Sequence, residues 1–254
     1  MRNRNSKGQF IKSESGYILP KDKVLVLRTT YKDNTSHNSF KWPTSGYVEA
    51  PDFVKNRNCG NGLHGWLWGE GYHTLSLHIF NSQPKWLVVE VNKTDIIDLD
   101  GKVKFPYGNV IYCGNKVGAT ELIAKFAPID TCVIGRKVIK KDPLPIYKDK
   151  CIVGSLGEVS VTKNGTAIAG ADGKASTEFG IAIAGHIGTA IAGNRGIAIA
   201  GTDGIASAGN DGIIIISYYE TCHFYPKRLV GHIGKDGLLP NVKYCVHNEK
   251  FVKV

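Results

Sequence analysis

Glycine returns at fixed intervals through the second half of this chain, at Gly157, Gly165, Gly173, Gly180, Gly188, Gly196, Gly204 and Gly212. The interval is eight residues except for one row of seven, Gly173 to Phe179. Four rows read alike, as Gly165-Thr-Ala-Ile-Ala-Gly and Gly180-Ile-Ala-Ile-Ala-Gly do, and a polar pair such as Asn194-Arg195 or Thr202-Asp203 follows. Helical repeats of the ankyrin or tetratricopeptide kind need over about 30 residues. Eight residues fit one short strand and one corner of a β-solenoid. Side chains alternate along a strand, so alanines line one face and isoleucines the other. Both faces are apolar, but a solenoid strand uses only one for its own interior. The second must meet something else.

The row pattern leaves open which face turns inward. The alanine file is flat and permits close approach of sheets. It is taken as an oligomer interface made by Ala182, Ala184, Ala190, Ala192, Ala198 and Ala200, with self-association expected and a trimer preferred. A monomer whose second face is covered by flanking segments is the alternative. The rows resemble the trimeric β-roll heads of bacterial adhesins, a likeness of architecture confined to these rows. The last row, Gly212-Ile-Ile-Ile-Ile-Ser, is bulkier and reads as a transition to a small β cap at 220–254, since an open solenoid end exposes strand edges.

The first half is a different kind of chain. All four tryptophans (Trp42, Trp66, Trp68, Trp86) precede residue 90. Strands are expected at Lys23–Thr29, Trp86–Val91, Asp95–Leu99 and Val110–Cys113, and a helix at Lys116–Ala127, stopped by Pro128. The expected layout is a basic tail at 1–19, an α+β domain at 20–150, the solenoid at 157–219 and the cap. The α+β–solenoid boundary is placed at Lys140–Cys151, where Lys-Lys-Asp-Pro-Leu-Pro interrupts regular structure.

The densest block runs from Cys59 to His73, with five glycines, two tryptophans and two histidines. Read as a loop, it supplies close backbone approach at Gly60 and Gly62, aromatic planes at Trp66 and Trp68, and ring nitrogens at His64 and His73. These six are the candidate ligand-binding residues. The competing reading packs them into a core. A metal site from Cys59, His64, His73 and His78 lacks zinc-finger spacing. No metal and no cofactor are expected.

Charge narrows the partners. The chain carries +10, yet 157–219 holds three Lys/Arg against five Asp/Glu, so the rest carries +12. Basic clusters lie at Arg2, Arg4, Lys7 and Lys12, and at Arg136, Lys137, Lys140, Lys141, Lys148 and Lys150. They favour an anionic partner such as a phosphorylated small molecule, and the competing reading is a solvated tail and a solvated linker. Nucleic acid has no recognised motif behind it. Six scattered cysteines suit reduced thiols. No apolar run suits a membrane span and the first residues do not read as an export signal, so a cytoplasmic, non-secreted protein is expected.

The chain resembles an uncharacterised family of phage and bacterial proteins, a domain of unknown function. The residues that carry the likeness are Cys59 to Gly65, the Trp86-Leu-Val-Val-Glu-Val strand, Asp98 to Pro106, the rows at 157–219, and the ending from Gly237 and from Lys250. The resemblance implies a phage setting and no activity. This chain departs from the common Ala-Thr-Asn-Thr-Gly row by using Ala-Ile-Ala-Gly. The expected function is therefore an oligomeric phage accessory protein, without catalysis, that binds a phosphorylated or nucleotide-like ligand, as in counter-defence sequestration. One alternative is an ADP-ribosyltransferase-like enzyme using Arg28, His64 and Glu90 or Glu121. Another is a virion or surface structural component with the solenoid as spacer.

Overall fold

The computed structural model describes residues 17–140, 150–162, 164–219 and 225–254. Its first part is one antiparallel sheet. The strands are β1 (Lys23–Thr30), β2 (Gly46–Glu49), β3 (Leu63–Leu67), β4 (Lys85–Asn92), β5 (Ile97–Asp98), β6 (Val103–Phe105) and β7 (Tyr107–Gly114), in the order β2-β7-β4-β1-β3-β6-β5. Unbroken apolar runs put β1 and β4 at the centre, because a strand covered on both faces has no polar alternation to keep. Val24, Val26, Val89 and Val91 pack on one side with Trp42 and Val110. Leu25, Leu27 and Val88 pack on the other with Trp66.

Helix α1 (Lys116–Ala124) covers that second side with Ala119 and Ile123. Its N-terminus is capped by Asn115, whose side chain accepts from the Gly118 N–H at 2.9 Å. The α+β expectation is corrected here: this part is a β sheet with one nine-residue helix. The long stretches between strands are rich in Gly, Pro, Asn and Ser and hold only single 3-10 turns. The expected strand at Asp95–Leu99 shrinks to the two residues of β5.

The second part is a two-sheet β-solenoid. The strands β8 (Lys137–Lys140), β9 (Lys150–Val153), β10 (Glu158–Val161), β11 (Thr166–Ala169), β12 (Lys174–Thr177), β13 (Ile181–Ala184), β14 (Thr189–Ala192), β15 (Ile197–Ala200), β16 (Ile205–Ser207) and β17 (Ile213–Tyr218) alternate between the sheets. Each strand pairs in parallel with the strand two rows on, so two rows make one coil. Register aligns like with like: Ala167, Ala182 and Ala198 stack, as do Ile168, Ile183 and Ile199. The stack begins at β8, earlier than the glycine rows indicate. Lys-Val-Ile-Lys and Lys-Cys-Ile-Val lack the glycine signature, but ladder pairing needs only backbone. Part of the expected boundary, 141–149, lies outside the described residues.

The alanines point inward. Ala182, Ala190, Ala198 and Ala200 are fully buried, and Ala184 and Ala192 nearly so, in the solenoid's own core. The alanine-interface expectation is therefore corrected. In the middle rows the alanines fill the space between the sheets and the isoleucines face out, while nearer the ends the inward positions carry Val159, Val161, Ile214 and Ile216. Corner residues Leu156, Asp172, Ile187, Arg195, Asp203 and Asp211 stand in the left-handed region. In the seven-residue row the corner closes differently: Thr177 Oγ1 accepts from the Gly180 N–H at 3.2 Å.

The far end is closed by antiparallel strands. β18 (Lys227–His232) pairs with β17, β19 (Tyr244–His247) with β16, and β20 (Lys250–Lys253) with β19. Ile233, Leu238 and Tyr244 plug the core below them. At the near end the two parts join through backbone. The Gly154 N–H donates to the Val133 carbonyl at 3.1 Å, and the Gly135 N–H to the Ser155 carbonyl at 2.7 Å.

Candidate functional site

The pairing of β1 with β3 sets Leu27 against Trp66 and so brings Arg28 beside Gly65 and His64. Gly65 is required there. A Cβ would stand 2.6 Å from the Leu27 carbonyl oxygen. Beyond these residues opens a cavity of about 560 Å³, walled by Tyr31, Trp66 and Leu75 and edged by His37, His78 and Lys102. A second cavity of about 410 Å³ adjoins it and shares Arg28, His37 and His64.

Arg28 is the centre of the site. Its guanidinium lies 5.6 Å from the Trp42 ring centroid, a cation–π contact. Its Nε is shut off from solvent and has no hydrogen-bond partner among the described residues, and the same holds for Nε2 of His64. Burial pulls the Arg28 pKa down to about 10, which leaves it charged at neutral pH. Burial, with Lys102 and Arg28 adding repulsion, holds His64 at about 4, so its ring is neutral. Among the described residues, no carboxylate lines the larger cavity. A further polar chain runs from Thr29 Oγ1 to Ser76 Oγ at 2.8 Å and on to His78 Nδ1 at 3.2 Å. Burial lowers the His78 pKa as well, with Arg28 and His37 contributing.

The six candidate residues separate. Gly60, His64 and Trp66 reach the larger cavity and Gly62 the adjoining one. Trp66 is mainly a core residue, 2% exposed, with its indole N–H donated to the Tyr72 carbonyl at 3.1 Å. Trp68 sits in the left-handed region (φ 54) and packs against both hydrophobic clusters of the sheet. His73 is buried and bonded to Asp172 of the solenoid. The block read as a loop contains β3, because Leu63 and Trp66 are drawn into the core. Tyr31, His37, Asn38, Ser76 and Lys102 line the cavity without any sequence signal, since they come from separate turns. Of the ADP-ribosyltransferase-like set, Arg28 and His64 meet, whereas Glu90 accepts from Tyr17 at 2.6 Å and neither Glu90 nor Glu121 lines the cavity. Among the described residues no His/Cys/Asp/Glu group is arranged to hold a metal.

Residues 24–125 match the model of a domain of unknown function, DUF7666. The whole larger cavity is built within that span. The chain is also similar to bacterial ice nucleation proteins. It is 41% identical over 106 residues to one from Pseudomonas syringae, covering 41% of this chain and 9% of the relative. It is 36% identical over 108 residues to the ice nucleation protein InaU of Pantoea ananas (41% and 10%). It is 34% identical over 111 residues to one from Xanthomonas campestris pv. translucens (42% and 7%). The matched segment thus spans a tenth or less of these curated relatives. No solved structure matches.

These likenesses correct the functional expectation. The relatives are bacterial proteins named for ice nucleation, not phage or viral proteins, and none is named for binding a nucleotide. The phage accessory role and the nucleotide-like ligand are withdrawn. The cytoplasmic, non-secreted expectation, drawn from the lack of a membrane-span run and of an export signal, is withdrawn in view of the same likeness to bacterial ice nucleation proteins.

Proposed function

We propose that this protein is a bacterial surface structural component in which the solenoid presents an ordered face and the first part is an appended module. The division into a sheet module, a solenoid and a cap belongs to this proposal. The observation that carries it is the outward file Ile152, Ile168, Ile183, Ile199 and Ile215, held in register by the parallel ladder. A second file, Thr166, Ile181, Ile197 and Ile213, runs beside it. The methyl-rich face repeats every ~4.8 Å across the strands and every ~6.6 Å along them. The opposite sheet is mixed, with Ser160, Ser176, Ile191 and Ser207 aligned.

Five strands give a face only ~24 Å long. The ice nucleation relatives are far longer, so any shared action on water requires this chain to gather area by lateral assembly. Copies meeting through the isoleucine face are the proposed route, in place of the alanines. The test combines sedimentation with droplet freezing for the wild type and for Ile183→Lys/Ile199→Lys. An assembling wild type that freezes droplets warmer than the variant supports the reading. A monomeric wild type that freezes droplets no warmer than buffer overturns it.

A further inference from the structure

We propose that Cys59, which lines the larger cavity, is a thiol–disulfide exchange site that takes up one half of a small disulfide carrying carboxylates. The first ground is the sulfur itself. Cys59 is exposed, and its Sγ accepts from Lys102 Nζ at 2.9 Å. Thiolate is the attacking form of cysteine, and an ammonium beside the sulfur counters the charge that form carries. The loop is also held in place. Buried Lys104 donates to Asn56 Oδ1 and to the Asn58 carbonyl, each at 2.9 Å, so the residues just before Cys59 are tethered to β6.

The second ground is the charge of the cavity beside that sulfur. Arg28 and Lys102 both line it, and among the described residues no carboxylate does. Arg28 is buried against Trp42, with its Nε unpartnered among the described residues. Two cations without a facing carboxylate favour a ligand that brings more than one negative charge. The volume of about 560 Å³ falls within the range of small-molecule sites.

In the exchange the Cys59 thiolate attacks one sulfur of the disulfide. A new S–S bond forms to that sulfur, the old S–S bond breaks, and the other half leaves as a thiolate. Cys59 is oxidised and the departing half is reduced, while the Cys59 proton passes through water to the departing sulfur. Among the described residues no second cysteine lines the cavity, so the mixed disulfide stays until an external thiol reverses it. The site lies outside the solenoid, so its fate is separate from that of the assembly proposal.

The test treats the reduced full chain with oxidised glutathione, which carries a net charge of about −2 near neutral pH, and with cystamine, which carries two amines. Peptide mass spectrometry reads the rate at each cysteine. Division by the rate in the urea-unfolded chain removes each reagent's own reactivity. Oxidised glutathione is expected to modify Cys59 at least about tenfold faster than Cys132, which is partly buried beside Glu70 and Asp130. At Cys59 it should also outpace cystamine by about tenfold or more, and added salt should shrink that preference. Lys102→Met should slow the reaction of Cys59 with oxidised glutathione about fivefold or more. Circular dichroism checks the fold of the variant. If Lys102→Met unfolds, the salt series and the cystamine comparison in the wild type decide. Cys59 no faster than Cys132, cystamine as fast as oxidised glutathione, or an unchanged rate in a folded Lys102→Met each overturns the proposal.

Discussion

His73 Nε2 lies 3.0 Å from Asp172 Oδ2, joining a turn of the sheet module to a corner of the solenoid across 99 residues of sequence. His73 is almost wholly buried, while Asp172 keeps 28% side-chain exposure. The contact adds a side-chain tie to the backbone bonds that join the two parts. A double-mutant cycle with His73→Ala and Asp172→Ala should give a coupling of about 1 kcal/mol. Strictly additive losses in urea unfolding would show that the contact does no docking.

The two files of the repeat should respond in opposite ways to charge. Ala182→Asp places a carboxylate in a closed methyl core and should cost at least about 3 kcal/mol, enough to unfold the solenoid. Ile183→Asp, one residue on, faces outward and should leave the circular dichroism spectrum nearly unchanged and cost far less stability. Equal destabilisation by the two substitutions would refute the inward assignment of the alanines.

Ile187 holds a φ of +55 at a corner where neighbouring rows place Asp or Arg. A β-branched residue is strained there, whereas Asn tolerates the left-handed region. Its side chain is 52% exposed, so little packing is lost on replacement. Ile187→Asn should raise stability by about 1 kcal/mol, read as a higher melting temperature.

Acid should weaken the fold through His64. Its folded pKa, held near 4 by burial first and then by Lys102 and Arg28, lies below the ordinary 6.5. The unfolded chain therefore takes up the proton first as pH falls. Stability from this group is complete above about 6.5 and declines as pH drops toward 4. His78 shifts in the same direction, chiefly by burial. Unfolding measured at steps between those limits should show a shallower decline in His64→Gln than in the wild type.

The candidate site was only partly legible in the sequence. Gly60, His64 and Trp66 fall in one glycine-rich block, but Arg28 stands on a core strand. His73, in the same block, faces the other way because its 3-10 turn directs it to the solenoid. Residue spacing records how far apart groups lie along the chain. It does not record which turn closes over the end of which strand, and His37, Ser76 and His78 reach the cavity by that route alone.

The eight-residue glycine period by itself determined that the second half is a stack of short strands, since no helix fits a row that short and glycine marks every corner. Alternation along each row likewise determined that alanines share one face and isoleucines the other. Tertiary structure alone decided which face is interior. Burial decides it: the middle rows close their core on alanine methyl groups, whereas in the last row the same inward file is Ile214 and Ile216. In the first half, local pattern determined β1, β4 and α1, whose apolar runs and cap are read within a few residues. The antiparallel pairing that sets Arg28 beside His64 is non-local, fixed by burial of Leu27 against Trp66, and no short-range signal encodes it.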